Sequence, residues 1–137
     1  MAKPKAKPYP RVVSDLLAEK TAVLSKAHAL ATMGMPETAL PLWLAAASYE
    51  EQLAPLLEAL GRDREAAVHR ISAASCYQKA GEWSRAANLY RAALADSLRE
   101  DTRRQVQKML SACLAQLARS AIDPATPRRP GRIPTGV

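Results

Sequence analysis

Between residues 12 and 122, apolar side chains recur every three or four positions, not every second one, and that spacing predicts helices. Leu16, Val23, Ala27 and Leu30 share one face of a first helix, expected from Ser14, as N-cap, to about Met33. A second helix is expected from Pro36 or Glu37 and carries Leu40, Trp43, Ala46 and Ala47. Pro41 suits only its first turn, and Pro55 predicts a kink or break before Leu60. A third follows Asp63 and runs to Ala80, with Ala67, Ile71, Ala74 and Tyr77 inward. A fourth begins near Ser84 and presents Ala86, Leu89, Tyr90, Ala93 and Leu94. A fifth opens on Thr102 to Gln105, the spacing of a capping box, and ends near Ala121. Its stripe is Val106, Met109, Leu110, Cys113 and Leu117. Gly34, Gly61 and Gly81 each follow a helical run, where a left-handed C-cap favours glycine.

The helices repeat. Sliding the chain by 47 positions sets Ala27 on Ala74, Leu30 on Tyr77, Gly34 on Gly81, Ala39 on Ala86, Trp43 on Tyr90 and Ala46 on Ala93. Small residues let helices cross closely, and the large aromatics fill the space between hairpins. The pattern is strongest in "ASCYQKAGEWSRAANLYRAAL", residues 74–94, and clear in 27–47. It resembles the tetratricopeptide repeat, a helix-turn-helix unit that stacks into a solenoid. Val23 and Arg70 stand where that family usually has Trp, and Lys26 and Ala73 where it usually has Leu. The long period implies extended helices, similar to those of the soluble NSF attachment proteins. The resemblance implies an all-α, right-handed stack of two tetratricopeptide-like hairpins closed by the fifth helix.

Composition agrees: the hydrophobic share of 48% is rich in Ala and Leu, and Phe is absent. The net charge of +7 changes the picture only once it is located. Residues 1–11 carry four basic groups, residues 124–137 carry three, and the stretch between holds thirteen of each sign. Within it, residues 12–61 have two basic and six acidic groups, and residues 62–123 have eleven and seven. Both ends are Pro-rich, so 1–11 and 123–137 are expected to be disordered or extended tails around a domain of residues 12–122. The first eleven residues have charge but no apolar stretch behind them, so no secretory signal is expected, nor any membrane span. A cytoplasmic location is the resulting expectation.

Candidate chemistry is sparse. Cys76 and Cys113 form no CxxC and read as reduced, buried thiols. His69 lies seven residues before Cys76, about 10 Å along a helix, too far to activate it. Glu65 and His69 are spaced i, i+4 and read as a solvated pair, not as two metal ligands. Glu50, Glu51 and Glu58 likewise read as a solvated face. No catalytic residue, metal or cofactor is therefore expected.

Binding surfaces are the stronger candidates. By the resemblance, the first helix of each pair lines a groove, with Leu24, His28 and Thr32 from one repeat and Ile71, Ser75, Gln78 and Lys79 from the next. Leu24 and His28 stand where the family's carboxylate clamp has Lys and Asn, so chaperone-tail binding is not expected. The groove suits a peptide or helix of a partner protein, which makes the chain a small adaptor or scaffold. Arg99, Arg103, Arg104 and Lys108 form a basic patch suited to an acidic partner. The acidic first half of a second copy would meet that description and permit self-association. The alternative is weak, nonspecific nucleic-acid association through the basic tails.

Overall fold

The computed structural model describes residues 8–122. The described chain is all-α and has five helices: α1 (Arg11–Thr32), α2 (Pro36–Ala59), α3 (Asp63–Lys79), α4 (Trp83–Leu94) and α5 (Glu100–Ile122). The extensive backbone approaches are between successive helices, α1 with α2, α2 with α3, α3 with α4 and α4 with α5.

One turn is used three times. Gly34, Gly61 and Gly81 have φ of 75°, 75° and 78°. The next residue in each case, Met35, Arg62 or Glu82, donates its N–H to Leu30, Leu57 or Tyr77 at 2.9 Å. That closes the preceding helix as a Schellman motif. The carbonyl of that same residue then accepts from Ala39, Ala66 or Ala86, so the next helix starts at once without a side-chain cap. All three alanines are fully buried at the helix crossing. The pattern apolar-x3-Gly-x4-Ala therefore marks every connection from α1 to α4. The 47-residue repeat contains two such turns, 27 and 20 residues apart.

The fourth connection lacks glycine. Arg103 serves instead: its guanidinium donates to the carbonyls of Leu94 and Asp96, both at 2.9 Å, and so satisfies the end of α4.

Several boundaries differ from expectation. Helix α1 starts at Arg11, with the Pro10 carbonyl accepting from Val13 and Ser14, so Ser14 caps nothing. The expected N-terminal tail is thus shorter than eleven residues: Tyr9 donates to Glu65 and lies under Arg62, 4.2 Å from its ring centre. The rest of that tail, residues 1–7, and the whole of 123–137 lie outside the described residues. Helix α5 opens at Glu100, so Thr102 sits inside its first turn and makes no capping box. Glu100 and Asp101 complement that helix end electrostatically.

Pro55 does not end α2, which continues for four more residues. Pro55 and Glu51, whose carbonyl loses a partner to it, both lie on the exposed side of α2, where solvent is available in place of the missing donor. Leu53, Ala54 and Leu57 are buried on either side of the proline and hold the helix down.

The apolar interior falls into two clusters. The larger is built on Ala27, Ala39, Trp43, Ala46, Ala74, Tyr77, Ala86, Tyr90, Val106 and Cys113, most of them positions paired by the repeat. The smaller joins Val13, Leu53, Ala54, Leu57 and Ala66, with Tyr9, Leu16 and Leu17 against it. The extra length of α1 and α2 thus packs on itself.

Candidate functional site

Helix α3 carries Ser75, Gln78 and Lys79 on one edge. In the structure these three line an open cavity of about 400 Å3 between α3 and α5. The opposite wall is Met109, Ala112 and Gln116, and Trp83 closes one end. Tyr90, fully buried on α4, fixes this cavity from beneath. Its hydroxyl donates to Gln78 Oε1 at 2.7 Å and lies 3.3 Å from Met109 Sδ, so one residue orients both walls.

The expected groove is divided. Ile71 does not line this cavity; it lies in a second one with Arg64, Val68, Leu98 and Arg99. Leu24 is half-buried against the larger core, and Thr32 is exposed beyond it. His28 is linked to Lys79 only through Trp43. The His28 ring meets the indole edge-on at 4.8 Å, and Lys79 Nζ stands 4.7 Å over its centre. Met109, Ala112 and Gln116 were not placed in the groove because α5 lies outside the repeat register, and Trp83 was not because it opens α4, not one of the helices expected to line the groove. The usable signal was Met109, Ala112 and Gln116 at i, i+3 and i+7, one edge of a helix.

The basic patch is also divided. Arg103 turns inward to the α4 carbonyls, and Arg99 pairs with Asp101 at 3.5 Å and lines the second cavity. Arg104 and Lys108 remain exposed on α5.

The carboxylates expected on a solvated face are engaged. Glu50 is only 1% exposed. Its Oε1 lies 3.4 Å from Lys20 Nζ, and its Oε2 lies 3.1 Å from His69 Nδ1. Glu51 accepts from the Tyr77 hydroxyl, and Glu58 pairs with Arg70. Glu65 and His69 do not form their i, i+4 pair, because Glu65 holds Tyr9 and Arg62 while His69 faces Glu50. The sequence hid this because α1, α2 and α3 each contribute one member. Among the described residues, no group of three or more His, Cys, Asp or Glu is placed to hold a metal ion.

Both thiols are buried. Burial pushes Cys76 up to about 11, aided by the Glu50 charge, and also raises Cys113. Tyr77 is pushed up to about 12, first by burial and then by its bond to Glu51, and burial raises Tyr90. At pH 8 Cys76 should therefore react with an aromatic disulfide reagent about a hundredfold more slowly in the folded chain than in the urea-unfolded chain, and Cys113 should be slowed as well. Two thiols titrating within seconds in the folded protein would contradict that. The stability gained by keeping Cys76 and Tyr77 protonated is full below about pH 9 and is lost as pH rises through about 11 and 12.

No described helix is long and apolar enough to cross a membrane. No family model, curated protein or solved structure matches the chain.

Proposed function

We propose that this chain is a non-catalytic protein-interaction module, a small adaptor or scaffold that receives a peptide or helix of a partner in the cavity between α3 and α5. In this reading α1, α3 and α5 are the inner helices of a right-handed tetratricopeptide-like stack. The observation that carries it is the cavity itself, which combines an apolar wall from Trp83, Met109 and Ala112 with polar groups from Ser75, Gln78, Lys79 and Gln116. Apolar anchors from one face of an amphipathic segment would sit against the first set, and the second would meet its polar rim. Met109 gives that wall a side chain that adapts to different anchors. The protonated, buried thiols support a non-catalytic role.

Ala112 is exposed at the cavity wall, so arginine can be placed there without disturbing the core. Affinity capture with the native chain and with Ala112→Arg, checked for equal helicity by circular dichroism, tests the reading. The expected result is a defined set of proteins held by the native chain and lost by the variant. An identical set on both would overturn it. Retention of nuclease-sensitive material alone would overturn it too, and would move binding to the basic segments 1–11 and 124–137.

A further inference from the structure

The second cavity has a different chemistry from the first. It encloses about 280 Å3 between the first half of α3 and the α4–α5 connection. Its apolar surface comes from Ala67, Val68, Ile71 and Leu98. Val68 is 58% exposed, a large uncovered fraction for a β-branched apolar side chain. The charged residues lining it are Arg64 on α3 and Arg99 on the connection, and neither is buried. Arg64 has no ion-pair partner among the described residues, and Arg99 has only its exposed contact with Asp101. Arg70 lies in the adjoining cleft, where Glu58 and Asp96 neutralise it.

Size and charge narrow the occupant. Pockets that enclose a drug-sized ligand hold roughly 300–1,000 Å3. A cavity just below that range accommodates one or two side chains. Two exposed guanidinium groups beside an apolar floor, Arg99 held only by its solvent-exposed contact with Asp101, favour an apolar residue flanked by carboxylates. The chain's own ends are poor occupants, since the excess charge of residues 1–11 and 124–137 has the sign of the arginines.

We propose that the cavity between Arg64 and Arg99 is a docking site for an acidic, leucine-bearing segment of a partner protein, separate from the cavity between α3 and α5. It takes the role expected of the basic patch but moves it from α5 to the α3 flank.

The probe is a fluorescein-labelled, amidated peptide Glu-Asp-Leu-Leu-Asp-Glu, with fluorescence polarisation read against the full chain at low salt. Exposed ion pairs contribute about 0.2–1 kcal/mol each, so Arg64→Ser combined with Arg99→Ser should weaken binding about two- to thirtyfold. Replacing both probe leucines by serine should weaken it by about tenfold, and raising the salt should weaken the native complex. Arg104→Ser combined with Lys108→Ser should leave binding unchanged, as should Ala112→Arg. The inference is overturned if the native chain does not bind the peptide, if the Arg64/Arg99 variant binds equally, or if the Arg104/Lys108 variant loses as much. Loss on Ala112→Arg would place the peptide between α3 and α5. That overturns this inference and leaves the proposed function standing.

Discussion

Replacing Tyr90 by alanine is expected to cost about 3–5 kcal/mol. Tyr90 is the largest side chain with no solvent exposure, and it lies where α3, α4 and α5 meet. Much of the surrounding core is alanine, and alanines cannot move in to fill the space an aromatic ring leaves. Domains of this size are stable by about 5–15 kcal/mol, so the variant approaches the unfolding threshold. Tyr90→Phe separates the ring from its hydroxyl. It should cost about 1 kcal/mol, the value of the bond to Gln78, while leaving packing intact. Urea denaturation followed by circular dichroism measures both. An alanine variant within 1 kcal/mol of the native chain would show that Tyr90 does not hold the three helices together.

Glu50→Ala should lose about 3 kcal/mol, the lower end of the range for breaking a buried ion pair. The lower end applies because Lys20 retains 18% side-chain exposure and can turn its amine outward. The informative comparison is Lys20→Met, Glu50→Leu and His69→Leu combined. Removing all the charges together should recover most of the loss, because desolvation offsets much of what a buried pair contributes. Recovery would assign to this cluster a role in alignment more than in stability. In each of α1, α2 and α3 the polar residue lies between those of the two apolar clusters. Sliding one helix by a turn would set Glu50 against hydrocarbon. If Glu50→Ala costs under 1 kcal/mol, the carboxylate has no such part.

What could be read from the sequence was what repeats. Five helices, three glycine turns and inward-facing Trp43 and Tyr90 follow from periodic positions, and the structure has the helices, the turns and both aromatics buried. What could not be read depended on pairs set by packing alone. Lys20, Glu50 and His69 have no common period, so Glu50 looked like any surface carboxylate until three helices closed over it. Arg103 looked like a member of a cationic cluster because its targets are backbone carbonyls, which leave no trace in side-chain identity. Of the kink or break that Pro55 predicts, the break does not occur, because the anchoring of α2 on both sides of it outweighs one missing hydrogen bond. The cavities required the position of α5, which no repeat supplied.

The three short, self-closing turns also bear on how quickly the chain finds its structure. The extensive helix approaches link neighbours along the sequence, so most contacts close a small loop and carry little entropic penalty. Such topologies fold in microseconds to milliseconds. Ordering can start at any of the three glycine hairpins and spread outward in both directions. Helix α5, tethered by the one connection without glycine, would be the last to settle and the first to fray. Both proposed cavities depend on it or on the connection that leads to it, so they would complete only at the final stage of folding.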